Sequence, residues 1–151
     1  MQFQDKDRGF EVARGFEGAN VILPQRQTSR SAGYDFRALE GTIILPNGRA
    51  MFSTGVKAFM RPFEVLMIYS RSSLGIKRGL VVAQSVGVID SDYYGNPDND
   101  GHIVIALLNL SNTAQKIEKG ERIAQGVFMR FLDCGDRPSE VRAGGIGSTG
   151  K

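Results

Sequence analysis

The amino-acid sequence consists largely of short apolar runs closed by turn-forming residues, and this pattern constrains the fold more than any other feature. Six such runs cover residues 42–45, 49–60, 63–70, 79–89, 102–110 and 121–131. Asn47-Gly48 separates the first two, and Asn-Gly between apolar runs is a strong β-hairpin signal. The segment 72–77 favours a helix, of about one turn. The pattern predicts a compact all-β barrel or sandwich with one short helical turn.

The chain is expected to form one domain followed by a C-terminal arm. Its 151 residues suit a single domain with a real hydrophobic core. From about Gly135 the composition changes to Gly, Ser, Arg and Pro, and such a segment buries too little apolar surface to order itself. We therefore expect a β-barrel domain over residues 1–134 and a flexible arm over residues 135–151.

Charge, hydropathy and cysteine content argue against several classes of protein. The formal net charge of +3 lacks the basic patch of a nucleic-acid-binding protein, although it suits an anionic small substrate. We expect no membrane span, because no run of about 18 apolar residues is present, and no secretion signal. Cys134 is the single cysteine, so an internal disulfide is impossible and a cytoplasmic location is favoured.

An acidic segment between two apolar runs raises the question of a calcium site. Its four aspartates are Asp90, Asp92, Asp98 and Asp100. In an EF-hand loop beginning at Asp90, the twelfth position would be Gly101, so the bidentate carboxylate is missing. The flanking runs also resemble strands rather than helices. The segment is therefore either a turn or the source of a catalytic carboxylate.

Three other segments carry groups suited to an anion, each with an ordinary structural alternative. The segment 71–73, Arg-Ser-Ser, offers a guanidinium group, two hydroxyls and helix N-terminal amides, or simply a helix N-cap beside a surface arginine. Gln125 shares a strand face with Ile123 and Val127, either as a satisfied core amide or as a group directed at a ligand. The segment 145–151 nearly matches two phosphate-binding motifs, but both require a helix directly after the loop, so we reject them.

Five segments, taken in order, resemble the five motifs of the trimeric dUTPase family. They are SAGYDFRA (31–38), RSSLGIKRG (71–79), GVIDSDYYG (87–95), GERIAQ (120–125) and GGIGSTG (144–150). The resemblance implies a distorted, jelly-roll-like β-barrel and a homotrimer with active sites at subunit interfaces. It also implies hydrolysis of dUTP to dUMP and pyrophosphate with Mg²⁺, which keeps dUTP low and supplies dUMP for dTMP synthesis.

The resemblance further implies roles for individual residues. Asp90 corresponds to the carboxylate that activates the attacking water, and Tyr93 to the tyrosine that leaves no room for a 2′-hydroxyl. Asp35 corresponds to the aspartate that reaches magnesium through water. The positions that contact uracil are Gln84, Val88, Val104 and Ile146. The positions that bind phosphate are Arg71, Ser72, Ser73, Gln125, Arg142, Ser148 and Thr149.

The sequence departs from the family pattern in three places. The arm has Ile146 where the family has a phenylalanine that stacks on uracil, and Arg142 lies one residue nearer to that position than the family arginine does. The segment 96–100, NPDND, lengthens the hairpin, and we expect Asp98 and Asp100 to lie in a solvated turn.

Two other functions use the same fold. A dCTP deaminase requires a glutamate in the strand 103–110, at about Ala106, and this sequence has no acidic residue there. A nucleotide-sensing regulatory binder is the second alternative, and the altered arm leaves it open.

Overall fold

The computed structural model describes residues 7–136, 138–140, 142, 144 and 145. Within them the chain forms eleven β-strands, one α-helix and a 3₁₀ turn, Ser91–Tyr93. The strands are β1 Gly9–Val12, β2 Tyr34–Arg37, β3 Thr42–Ile44, β4 Arg49–Ser53, β5 Val56–Phe59, β6 Glu64–Tyr69, β7 Leu80–Val82, β8 Gly87–Asp90, β9 Val104–Asn109, β10 Gln115–Ile117 and β11 Arg122–Arg130; the helix α1 is Ser72–Arg78. The division into a domain over 1–134 and an arm over 135–151 stays a prediction.

The strands pair into four small antiparallel sheets. The largest has the order β2-β11-β6-β8, and the second β4-β9-β7. The pairs β1-β5 and β10-β3 complete the fold, and the ladders of the described residues do not close into a continuous ring. The predicted all-β, jelly-roll-like fold class is confirmed. No helix in the described ranges is long and apolar enough to cross a membrane.

One hydrophobic core joins these sheets. Its largest fully buried apolar side chains are Phe36, Ile44, Leu66, Leu80, Ile103, Leu107, Ile117 and Ile123. Burial of each such side chain stabilises the fold by about 1.5–3 kcal/mol relative to exposure. This packed core fixes the positions of the strand ends, and therefore of the polar side chains at those ends.

A β-bulge in β11 decides which face of that strand meets the core. The register shifts between Arg122 and Ala124, so that Ile123 and Ala124 are both buried. Beyond the bulge Ala124 faces inward, and the opposite face carries Gln125 and Val127. The prediction that Gln125 shares a buried apolar face with Ile123 was wrong, because simple alternation does not account for the bulge.

The Asn47-Gly48 segment forms the expected turn but not the expected hairpin. Asn47 has a left-handed φ of 58°, and the N–H of Gly48 donates to Leu45 O at 2.8 Å. The strands on either side pair elsewhere, β3 with β10 and β4 with β9. A local turn signal fixes the reversal of the chain, but the partner of each strand is set by packing.

The short helix α1 confirms the prediction for residues 72–77. Its N-cap is Arg71, which makes no side-chain capping bond, so the interpretation of Ser72 or Ser73 as the N-cap was wrong. Gly79 ends the helix with a left-handed φ of 66°. Arg78 ties the C-terminal end to the rest of the fold, because it donates to Glu121 Oε1 at 2.6 Å.

The segment 96–100 is anchored to the barrel, in contrast to the predicted solvated turn. Asp100 Oδ2 accepts hydrogen bonds from Lys57 Nζ and the Arg14 backbone N–H, both at 2.8 Å. Asn96 is only 3% exposed, and its Oδ1 accepts from the backbone N–H of Asp98 at 3.0 Å. The prediction was wrong for Asp100, whereas the side chain of Asp98 is exposed as expected.

Candidate active site

A pocket of about 680 Å³ opens beside β8 and β9. Gln84, Val88, Tyr93 and Val104, all predicted to contact the base or the sugar, line it together with Asp90. These residues converge because β8 and the 3₁₀ turn run along one wall and β9 along another. The structure thus brings together one half of the predicted site.

One face of β9 lines this pocket, whereas the sequence predicted that both faces of this strand would be buried in the core. The run 103–108 is apolar at every position, which suggested that both faces are buried. Ile105 and Leu107 are indeed buried, but Val104 and Ala106 are half-buried and line the pocket. The second apolar face therefore provides a pocket wall, where a planar base could lie.

Asp90 is the last residue of β8, and its side chain is 47% exposed. Its Oδ2 is paired with Nη2 of Arg142, and Arg142 Nε donates to Asp92 Oδ1 at 2.9 Å. The Arg142 guanidinium group also lies 5.9 Å from the centre of the Tyr93 ring. Arg142 is therefore placed on Asp90 of this first pocket and on the exposed neighbour Asp92, away from the other predicted phosphate-binding residues. The first pocket is called the base-and-sugar pocket, after its predicted contacts.

Neighbouring residues that were not predicted as site residues hold Tyr93. Asn99 Nδ2 donates to Tyr93 Oη at 2.7 Å, and Tyr93 Oη donates to the backbone carbonyl of His102 at 3.0 Å. His102 Nε2 accepts the N–H of Gly55 at 3.1 Å, and burial lowers the pKa of His102. No pattern in the sequence marks Asn99 or His102, because their contacts depend on how the hairpin closes.

Neighbouring residues also shift the pKa values of two groups in the segment 94–100, the phenol of Tyr94 and the carboxyl of Asp100. Burial and a hydrogen bond to Glu11 raise the pKa of Tyr94 to about 12. Burial alone would raise the pKa of Asp100, but the hydrogen bonds from Lys57 and the Arg14 backbone outweigh it and the pKa is lowered. Asp100 therefore stays ionised as the anchor of this loop.

A second pocket, of about 440 Å³, lies between β2, the end of β6 and β11. The predicted phosphate-binding residues Arg71, Ser72 and Gln125 line it, as does Asp35. Ser73, which was also predicted to bind phosphate, lies half-buried on α1 and is not part of this lining.

An ion-pair network fixes the arginine of the second pocket. Asp35 Oδ1 accepts from Arg71 Nε and Asp35 Oδ2 from Arg122 Nη1, each at 3.1 Å. The Asp35 side chain is only 11% exposed. Because both of its oxygens are engaged by guanidinium groups, this carboxylate positions Arg71 rather than acting as a proton acceptor.

The Gln125 side chain makes one hydrogen bond and lies close to Gly33. Its Nε2 donates to Ser70 O at 3.1 Å. A Cβ atom on Gly33 would lie 2.3 Å from Gln125 Oε1, so the glycine leaves room for this amide where the first motif crosses β11. The amide lines the pocket, and its role toward a ligand stays a prediction.

The residues present fit magnesium only through water. Among the described residues no three His, Cys, Asp or Glu side chains are grouped to hold a metal ion. Asp35 is the carboxylate at the second pocket, and its oxygens already accept from two arginines. Mg²⁺ commonly keeps most of its waters and binds substrate phosphates, which is compatible with this arrangement.

Asp90 of the first pocket and Gln125 of the second lie beside opposite ends of β6. In the ladders Asp90 pairs with Val65 at one end, and Gln125 pairs with Tyr69 at the other. Four residues of a strand span about 13 Å, and a further strand spacing of about 5 Å lies on each side of β6. Within the described part of the chain, no residue lines both pockets. One chain therefore cannot place Asp90 and Gln125 on the same phosphate group.

An exposed apolar strip lies on the large sheet, beside the end of β6 at which Asp90 pairs. Its members are Phe63, Val88, Met129 and Phe131, each between 43% and 63% exposed. Exposed apolar surface of this kind commonly marks a protein–protein interface.

A family profile describing dUTPases matches residues 19–150, which is most of the chain. The chain belongs to the dUTPase family. Its members include the deoxyuridine 5′-triphosphate nucleotidohydrolase of Lactococcus lactis subsp. lactis, which is 49% identical over 148 residues, 96% of this chain and 99% of the relative. The enzyme of the same name from Wolinella succinogenes is 37% identical over 87% of this chain and 89% of the relative.

A solved structure supports the same assignment. The crystal structure of dUTPase from Streptococcus mutans has a TM-score of 0.78 and 45% sequence identity, covering 85% of this chain and 99% of that chain. The dUTPase-family resemblance noted in the five motifs is thereby confirmed. Ile146, Ser148 and Thr149, the predicted arm residues of this dUTPase, lie outside the described residues.

Proposed function

We propose that this chain hydrolyses dUTP to dUMP and pyrophosphate in the cytoplasm, which keeps dUTP low and supplies dUMP for dTMP synthesis. The observation that carries this proposal is the position of Asp90, a solvent-accessible carboxylate at the edge of a pocket with apolar walls and a tyrosine. Membership of the dUTPase family supports the choice of nucleotide.

In the proposed reaction Asp90 accepts a proton from the water that attacks the α-phosphorus. The oxygen of that water bonds to phosphorus, the bond from phosphorus to the bridging oxygen of the β-phosphate breaks, and pyrophosphate leaves with the electron pair. A carboxylate at the rigid end of a strand is suited to this task because it can hold the water in line. Arg142 pairs with Asp90, and we expect the triphosphate to compete for this guanidinium group and so free the carboxylate.

The walls of the pocket account for the choice of base and sugar. Val104 and Ala106 offer an apolar surface. Gln84, the neighbourhood of Val88 and the backbone near Val104 read the edge of uracil. The Tyr93 ring lies against the deoxyribose and leaves no space for a 2′-hydroxyl. Discrimination against UTP therefore depends on the position of this ring.

The phosphate-binding half of each site is supplied by a second chain. Arg71, Ser72 and Gln125 bind the phosphates of a nucleotide whose base lies in the neighbour's pocket, in a homotrimer with sites at subunit interfaces. The distance between Asp90 and Gln125 along β6, and the exposed apolar strip beside Asp90, support this arrangement. Asp35 would hold Mg²⁺ through water, and the bound ion would supply positive charge to the triphosphate.

The test is to incubate the purified protein and Mg²⁺ with dUTP, dCTP, dTTP or UTP, and to measure pyrophosphate and ammonia. We expect pyrophosphate from dUTP alone. Ammonia from dCTP would overturn the proposal in favour of a deaminase, although Ala106 lies in the pocket where a deaminase needs a carboxylate. Binding of dUTP without pyrophosphate would instead indicate a nucleotide-sensing protein.

A further inference from the structure

The amide of Asn99 has a defined orientation on the pocket side of the 96–100 loop. Its Oδ1 accepts the backbone N–H of Gly101 at 3.0 Å, so its Nδ2 is the end that faces Tyr93 Oη, 2.7 Å away. Asn99 itself lines the base-and-sugar pocket. The orientation of this amide therefore follows from the backbone of the loop rather than from a free side-chain rotation.

The Tyr93 hydroxyl is engaged on both sides. It accepts from Asn99 Nδ2 and donates to the carbonyl of His102, so the donor and the acceptor lie within one closed hairpin. That hairpin is tight: Gly101 has a left-handed φ of 82°, and a Cβ there would lie 2.5 Å from Tyr93 O. A tilt of the ring would stretch one bond or both.

The loop that carries Asn99 cannot readily follow such a tilt. Asp100 is bonded to Lys57 and to the Arg14 backbone, and the Asn96 side chain is buried against the fold. Anchors therefore stand on both sides of Asn99, and the hydrogen bond to Tyr93 connects the ring to the barrel.

We propose that Asn99 is a positioning residue for sugar discrimination, which acts by holding the Tyr93 ring against the 2′ position of the nucleotide. This inference rests on the proposed function. The Tyr93 ring can exclude a 2′-hydroxyl group only if it keeps its position. Loss of one of its hydrogen bonds would let the ring tilt away from the sugar. The inserted segment 96–100 thus has a purpose: it supplies the second restraint on the tyrosine.

The test compares Asn99→Asp with wild type by the ratio of kcat/KM for dUTP to kcat/KM for UTP. The aspartate keeps the acceptor for Gly101 but lacks the N–H donor for Tyr93, and its added charge acts on both triphosphates, so it cancels in the ratio. We expect the ratio to fall roughly three- to tenfold, the scale of one hydrogen bond. Asp98→Asn, an exposed change in the same loop, is the matched control and should leave the ratio unchanged.

Two further variants identify the route of the effect. Tyr93→Phe removes the bonds to both Asn99 and His102 and should lower the ratio at least as much. Asn99→Asp should have no further effect in that background, because the bond that it removes is already absent. If the Asn99→Asp variant does not fold, Asn99→Ser takes its place in the test. Thermal unfolding shows whether Asn99→Ser folds, and the same kcat/KM ratio is compared with that of wild type.

The outcomes separate this inference from the function on which it rests. Hydrolysis of dUTP with an unchanged ratio in folded Asn99 variants would overturn the inference alone, as would an undiminished Asn99→Asp effect in the Tyr93→Phe background. A wild-type protein that releases no pyrophosphate from dUTP would overturn the proposed function, and the inference with it.

Discussion

The first pocket, beside β8 and β9, and the second, between β2, the end of β6 and β11, are built by different means. They are the base-and-sugar pocket and the phosphate pocket, named after their predicted contacts. In the first, apolar side chains of β8 and β9 form the walls, and neutral hydrogen bonds within the segment 93–102 set the position of Tyr93. In the second, charged groups distant in sequence meet: Asp35 of β2 is bonded by Arg71 and by Arg122 of β11. Shape therefore defines one pocket, and charge defines the other.

The carboxylates of the two pockets differ in their exposure to solvent. The base-and-sugar pocket has a solvent-accessible carboxylate in Asp90, whereas the carboxylate of the phosphate pocket is nearly buried and fully engaged by arginines. The phosphate pocket has a guanidinium group, a hydroxyl and an amide, directed at a place that Asp90 of the same chain does not reach. We infer that the two pockets are halves of one site and that neither works alone.

The largest effect is expected from Asp90→Asn, which removes the proton acceptor from the base-and-sugar half. We expect kcat to fall roughly a thousandfold, the range of general-base catalysis, while dUTP still binds. Pyrophosphate release gives the rate, and calorimetric titration gives the affinity.

Asp92→Asn is the matched control, because Asp92 shares the contact with Arg142 but is not placed as the base. We expect a change of less than about threefold, as for an exposed ion pair. Equal losses in both variants would mean that the two carboxylates act by holding Arg142 instead of by accepting a proton.

The second-largest effect, a decrease of kcat/KM for dUTP by about tenfold, is expected from Gly33→Ala. This substitution changes only the phosphate pocket, which Gly33 lines. The new Cβ would meet Gln125 Oε1, the end of a flexible side chain, so the amide must move although the fold need not. We expect kcat/KM for dUTP to fall about tenfold with little change in the thermal midpoint, because a displaced polar group loses its contact with phosphate. Steady-state kinetics and thermal unfolding measure the two quantities.

Two comparisons check this explanation. Gly33→Ala should add little in a Gln125→Ala background, and binding of deoxyuridine should be unchanged. Weaker deoxyuridine binding would show that the two pockets are not independent in the way that their separation suggests.

The smallest effect concerns the stability of the base-and-sugar half at acidic pH. His102 is the single histidine, and burial lowers its pKa below the ordinary value of 6.5. As the pH falls below about 6.5, the unfolded chain binds a proton that the folded chain does not, so the free energy of unfolding decreases. Urea unfolding at pH about 7 and at pH about 5.5 measures this decrease.

The control for this prediction is His102→Gln, which keeps a side-chain acceptor for the Gly55 N–H. Its stability should change less between the two pH values than that of wild type. The same pH dependence in both chains would assign it to groups other than His102.

The sequence was sufficient for the fold class, the strand-rich core and the short helix, because these follow from local periodicity and turn residues. It was not sufficient for strand partners: the Asn47-Gly48 turn formed, but β3 and β4 joined different sheets. The bulge at Arg122–Ala124 likewise reversed the expected facing of Gln125. Pairing and bulges depend on contacts far apart in the chain, which periodicity does not record.

The candidate site was predictable where side chains themselves carry the chemistry. The motifs located Asp90, Tyr93, Arg71 and Gln125 in the two pockets. They did not indicate Asn99, whose contribution is a hydrogen bond to another side chain, and they suggested a solvated turn for Asp100, which is anchored by Lys57. Supporting residues of this kind become visible only when the hairpin is closed in three dimensions.

The most direct test of the central claim is complementation between two inactive chains, Asp90→Asn and a variant that combines Arg71→Ala with Gln125→Ala. The two are unfolded together, refolded in equal amounts, and assayed for dUTP hydrolysis, with mixed oligomers confirmed by native mass spectrometry. If each site takes its two halves from different chains, about one quarter of the sites in random mixtures combine two intact halves, so about one quarter of wild-type activity should return. Mixed oligomers with no more activity than the two parents would contradict a site shared between chains.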